Sequence, residues 1–69
     1  MDRVAVKSSN IREVGYDEDS RILEILFVDG GLYRYFDVPE SIYRGILTAP
    51  SAGKYFHGHI RDRYRCERI

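Results

Sequence analysis

Histidine, cysteine and serine are the side chains here that could do metal or covalent chemistry, and their spacing decides whether they can. His57 and His59 straddle Gly58, and the single cysteine, Cys66, lies seven residues past His59. All three are zinc-binding types. A structural zinc site closes a tetrahedron with four ligands, usually in tighter pairs, so these three residues do not predict a metal centre. Cys66 with His57, or Ser9 with His59, would match a nucleophile to a base. Neither nucleophile sits in a glycine-bracketed elbow, no phosphate-cradling loop is present, and 69 residues leave little room for a closed cleft. The sequence therefore predicts no catalytic residue, no metal and no cofactor: a binding module rather than an enzyme.

The groups suited to binding are arginines. Residues 54–69 hold Lys54, Arg61, Arg63, Arg65 and Arg68 against Asp62 and Glu67, whereas residues 1–40 hold five Lys/Arg against nine Asp/Glu, and the formal charges sum to zero. A guanidinium grips phosphate in a forked geometry that lysine cannot copy. On an extended segment Arg61, Arg63 and Arg65 would share one side, with the Tyr64 ring nearby, so Lys54, Arg61, Arg63, Tyr64, Arg65 and Arg68 form a candidate nucleic-acid surface with RNA as its partner. The competing reading leaves the tail solvated or pairs it with Asp17, Glu18, Asp19 or Glu24, because zero net charge offers a polyanion little long-range attraction. Tyr33 and Tyr35 can stack unpaired bases at about 1–3 kcal/mol each. Packing favours a core role for both rings, since Leu23, Ile25 and Phe27 fall on the same face.

These residues must be positioned by one small domain, residues 1–69, because a chain this short hides only about 60% of the surface its unfolded form exposes. With one cysteine there is no internal disulfide to add stability, which makes a homodimer a natural expectation. Ile11 to Tyr16 reads as a strand ended by the polar run Asp17-Glu18-Asp19-Ser20. Ile22 to Val28 is rich in β-branched and aromatic residues and stops at Asp29-Gly30-Gly31, where a three-residue hairpin loop would return the chain as Leu32 to Val38. That loop sets Tyr33 opposite Phe27 and Tyr35 opposite Ile25, whereas a two-residue turn would shift the pairing by one and set the tyrosines against the other face. Ile22, Leu26, Val28 and Phe36 are then the apolar residues of the less covered face, a candidate surface for a second copy or another protein.

Pro39 opens a helix whose residues Ile42, Tyr43, Ile46 and Leu47 share a face, and Pro50 stops it. Ser51 caps a second helix carrying Ala52, Tyr55, Phe56, His59 and Ile60, which ends near Arg61. Arg61 to Cys66 reads as an extended edge. The expectation is an α+β fold, a three-stranded antiparallel meander followed by two short helices packed on one face, with a short extended C-terminal segment. No apolar run approaches the roughly 20 residues that span a bilayer, and the start lacks the pattern of a signal peptide, so the expected compartment is the cytosol.

Val6-Lys7-Ser8-Ser9-Asn10-Ile11, Gly15-Tyr16, Leu23-x-Ile25-x-Phe27, Tyr33-x-Tyr35, Val38-Pro39 and Ser51-x-Gly53-x-Tyr55-Phe56, with Ile60-Arg61 and Tyr64, together resemble the KTSC domain. That family takes its name from a segment at the C-terminus of some lysyl-tRNA synthetases and also occurs as small bacterial proteins. The resemblance implies RNA binding only through the context of that fusion. His57 departs from the pattern, which would have a residue such as asparagine after the Tyr-Phe pair.

Overall fold

In the computed structural model, which describes residues 1–69, the alternating segment Ile22–Phe27 is the central strand, β3. On either side lie β2 (Ile11–Asp17) and β4 (Leu32–Tyr35), and outside them β1 (Arg3–Ala5) and β5 (Cys66–Arg68). All neighbours are antiparallel, in the order β1-β2-β3-β4-β5. The antiparallel α+β architecture and the two helices match the sequence reading, but the sheet has five strands where three were expected. Both extra strands are three-residue edges with every residue exposed, so no apolar alternation announces them. They form because β2 and β4 each offer an unpaired row of backbone donors and acceptors.

The β3–β4 loop is one residue earlier than expected. Gly30 N–H donates to Phe27 O (3.0 Å) and Phe27 N–H to Gly31 O (2.8 Å), which makes Val28-Asp29-Gly30 the loop, with Gly30 at φ +97° in the position that glycine fills at least cost. Moving a loop by one residue moves the cross-strand partners by two. Tyr33 therefore faces Ile25 and Tyr35 faces Leu23, in place of the expected Phe27 and Ile25. A shift of two leaves every side chain on its face. Leu23, Ile25, Phe27, Tyr33 and Tyr35 still share the side that meets the helices. Val28, expected on a strand, is the first residue of the loop, its N–H donating to Asn10 O at 2.9 Å, and is 52% exposed.

Helices α1 (Glu40–Thr48) and α2 (Ala52–His59) cover that side. Ile46, Ala52, Phe56 and Ile60 close over Ile11, Val14, Leu23, Ile25, Tyr35 and Val38 to form the core. Ser51 Oγ accepts from Lys54 N–H at 3.2 Å and starts α2 directly after Pro50. The two helices meet where the Tyr55 phenol lies on Gly45, a place with no room for a side chain.

The opposite sheet face carries no helix. Ile22, Leu26 and Phe36 are half-buried there, and an ion network crosses between them. Arg3 Nε meets Glu13 at 2.8 Å, Arg3 Nη1 meets Glu24 at 3.1 Å, and Arg34 Nε meets the other Glu24 oxygen at 3.2 Å. Glu24 is the one buried charged residue, and its position opposite Arg34 in the register explains the pairing. Donating hydrogen bonds to Glu13 and Glu24 pushes the Arg3 guanidinium still higher than its ordinary range.

Candidate nucleic-acid interface

The expected extended run of arginines is replaced by a turn. Ile60 to Arg63 reverse the chain, Arg63 N–H donating to Ile60 O at 3.1 Å and Asp62 adopting φ +62°. The reversal is required to bring Cys66–Arg68 back alongside β4. Arg61, Arg63 and Arg65 consequently do not share a side. Arg65 lies over the Phe36 ring at 4.6 Å, Arg63 is exposed and lines no cleft of this interface, and Tyr64 packs half-buried against the core. The four ion pairs are Arg3–Glu13, Arg3–Glu24, Arg34–Glu24 and Arg44–Glu40, so none of Lys54, Arg61, Arg63, Arg65 and Arg68 is matched to a carboxylate. Glu24, proposed as a partner for the tail, is taken by Arg3 and Arg34.

What the fold assembles is a band of basic side chains across α2 with a cleft at each end. Lys54 and His57 stand three residues apart on one face of α2, and Arg61, in the turn just past its end, reaches back to them. Arg61 Nη1 donates to His57 Nδ1 at 3.3 Å. Because arginine only donates, His57 Nδ1 is the acceptor and its proton sits on Nε2.

Beyond Lys54 and His57 opens a polar cleft of about 650 Å³, lined by Lys7, Ser8, Ser9 and Asn10 from the β1–β2 connection and by Pro50, Ser51, Gly53, Lys54 and His57. No carboxylate lines it. Ser8 Oγ braces this wall, donating to Asn10 Oδ1 (2.8 Å) and accepting from the N–H groups of Asn10 and Ile11 (both 3.3 Å). Gly53 admits the loop closely: a methyl there would lie 2.6 Å from Asn10 Oδ1.

At the other end of the band is an aromatic cleft of about 290 Å³ lined by Phe27, Tyr33, Tyr35 and Phe56, with Asp29, Gly31, Arg61 and Arg68 at its rim. The rings meet edge to face: Phe27 with Tyr33 (centroids 5.6 Å, 85°), Phe27 with Phe56 (5.4 Å, 76°) and Tyr35 with Phe56 (5.8 Å, 76°). Tyr35 is 6% exposed and belongs to the core, whereas Tyr33 is half-buried and reaches the cleft. Burial pushes the Tyr35 phenol up to about 12, so this wall stays neutral. Arg68, paired with Tyr33 across β4–β5, holds its guanidinium 5.8 Å from the Tyr33 ring centroid.

Phosphate can be gripped along the band and a planar ring can stack in the aromatic cleft. Lys54, Arg61, Arg68 and Tyr33 are brought together as one surface, while Arg63, Tyr64 and Arg65 are not part of it. Sequence reasoning missed Lys7, His57, Asp29 and Phe56 as members. Lys7-Ser8-Ser9-Asn10 and Ser51-x-Gly53 were visible as motifs, but they join only when the β1–β2 connection packs against the start of α2.

The histidines and the cysteine go separate ways. His59 stacks on Tyr55 (centroids 4.2 Å) and its Nδ1–H donates to Tyr55 O at 3.2 Å. Cys66 is exposed on β5, and no three His, Cys, Asp or Glu side chains converge as a metal site would require. No helix is long and apolar enough to cross a membrane.

Comparison with known proteins agrees with this architecture. Residues 7–64 match the KTSC domain. An uncharacterised protein of Stutzerimonas stutzeri is 43% identical over 70 aligned residues, covering 100% of this chain and 99% of its own length. A lysine–tRNA ligase of Trichormus variabilis is 33% identical over 63 residues, 91% of this chain but 11% of the ligase. The crystal structure of a KTSC domain protein from Yersinia pestis superposes with a TM-score of 0.96 at 41% identity, covering 99% of this chain and 96% of that one.

Proposed function

Since this chain belongs to the KTSC domain family, we propose that it is a non-catalytic module that binds RNA across α2. Phosphates lie along Lys7, Lys54, Arg61 and Arg68, and His57 adds its Nε2–H. The observation that carries this reading is that these four cations have no carboxylate partner and run from a polar cleft to an aromatic one. Backbone phosphates supply affinity through such cations, and an aromatic wall accepts any unstacked base. The related segment in a lysine–tRNA ligase supports the choice of RNA. A cytosolic setting accords with the exposed free thiol of Cys66.

Fluorescence anisotropy with tRNA and with a single-stranded RNA oligomer, across a salt series, tests the proposal. For single strands the logarithm of affinity should fall against the logarithm of salt with a slope of about −0.7 per phosphate contacted, or about −3 for four cations. The triple substitution Lys54→Ala, Arg61→Ala, Arg68→Ala should flatten that slope. Absence of binding at low salt, or binding indifferent to the triple substitution, refutes it.

The alternative, a homodimer or protein contact through Ile22, Leu26 and Phe36, with Val28 in the turn beyond them, draws on the helix-free sheet face. There the Glu13–Arg3–Glu24–Arg34 network separates the apolar residues, so the RNA reading is the stronger. Light scattering at high protein concentration discriminates: a strict monomer ends the homodimer version.

A further inference from the structure

The aromatic cleft has more chemistry on its rim than indiscriminate stacking needs, and we infer that it takes one unstacked guanine base of the bound RNA; this rests on the RNA reading and specifies its base. At about 290 Å³ the cleft is at the lower end of ligand pockets, which run from about 300 Å³ upward, a size for one base. Gly31 forms part of its rim, and a methyl there would lie 3.2 Å from both Asp29 Oδ1 and Tyr33 Cε1 and 3.9 Å from Arg68 Nη2. The carboxylate and the guanidinium thus border the same small space, yet they form no ion pair with each other.

Asp29 is held in place. Its Oδ1 accepts from Gly31 N–H at 2.9 Å, and the carboxylate has acceptor capacity left over for a ligand. Arg68 is weakly tied to the ring: at 5.8 Å from the Tyr33 centroid it sits near the outer limit of about 6 Å for cation–π attraction. A base that displaces the Arg68 guanidinium outward stacks on the Tyr33 ring with one face and under the guanidinium with the other, a common way of holding single-stranded RNA.

The edge then selects the base. Guanine presents two adjacent donors, N1–H and N2–H₂, which a carboxylate accepts together, and beside them the O6 and N7 acceptors that an arginine reads. Adenine and cytosine each set one donor beside a ring-nitrogen acceptor that repels a carboxylate, and uracil has one donor between two carbonyls. Only guanine offers Asp29 a matched pair while Arg61, on the α2 side of the rim, takes O6 or N7.

The test measures anisotropy of the intact chain with octauridine and with the same oligomer carrying one central guanosine. The guanosine oligomer should bind about tenfold more tightly, the discrimination of one good bidentate contact. Asp29→Asn keeps an oxygen for the Gly31 N–H and so preserves the loop, but it should abolish the tenfold difference, so that the two oligomers bind alike. Equal affinities of the native chain for the two oligomers overturn the inference and leave the RNA reading standing, as does a guanosine preference that survives Asp29→Asn. If neither oligomer nor tRNA binds, both fall.

Discussion

Replacing Gly45 by alanine should destabilise this protein, against the ordinary expectation for a helix. In the interior of α1 the substitution would by itself contribute about 1 kcal/mol of stability, because glycine loses the most backbone freedom on folding. Here the new methyl falls on Tyr55 Oη and Cζ and 2.8 Å from Cε2. The ring cannot swing away freely, since it is stacked on His59 at 4.2 Å and packs against the core. Overpacking of this kind costs about 1–3 kcal/mol, and losing the ring stack adds about 0.5–1.5 kcal/mol. The net expectation is a loss of about 1–2 kcal/mol, a large share of the 3–5 kcal/mol that a core of this size supplies.

Urea denaturation followed by circular dichroism measures the effect. With a slope near 1 kcal/mol per molar urea, the midpoint should fall by about 1–2 M. The decisive comparison repeats Gly45→Ala in a Tyr55→Leu background, which lacks the colliding atoms. There the sign should reverse and alanine should stabilise by about 1 kcal/mol, a coupling of about 2–3 kcal/mol between the two sites. Equal stabilisation in both backgrounds would falsify the claim that the helices are seated on this glycine.

Three further outcomes are expected. Tyr35 ionises near 10 when unfolded and at about 12 when folded, so the folded state holds the extra proton between those values; its contribution to stability should be whole below pH 10 and fall by up to about 2–3 kcal/mol as pH rises through 12, seen as a larger loss in the native chain than in Tyr35→Phe, whose ultraviolet phenolate titration should lack the highest step. Glu24→Ala should cost about 1–3 kcal/mol because it removes the partner of two arginines from a site where its side chain is 5% exposed, whereas Glu13→Ala, at 34% exposure, should cost under about 0.5 kcal/mol; equal losses in thermal melts would refute the ranking. Gly30→Ala should cost about 1 kcal/mol through its positive φ and Gly30→Asn less, since asparagine tolerates that region; urea midpoints that rank alanine above asparagine contradict the loop assignment.

The parts of the fold that were legible are those in which one face of an element is buried. The alternation in Ile22–Phe27, the stripe through Ile42, Tyr43 and Ile46, and the Ser51 cap follow from periods and hydrogen bonds internal to an element. The edges β1 and β5 carry no such record. Every side chain in them is exposed, so only backbone pairing with a neighbour identifies them. The loop lies one residue earlier than local composition suggests because Asp29-Gly30-Gly31 offers two glycines for one left-handed position, and composition does not choose between them.

The site divides along the same line. Composition alone established that cations concentrate after residue 54 and that aromatic side chains alternate on one strand face, because charge and period-two geometry belong to the chain itself. Which arginines stand together was a tertiary decision. The turn at Ile60–Arg63 sends Arg65 to Phe36 and Arg68 to Tyr33, and the packing of α2 beside residues 7–10 adds Lys7 to the band. Contacts between distant segments depend on how the one core closes, and that closure is a property of all the elements at once.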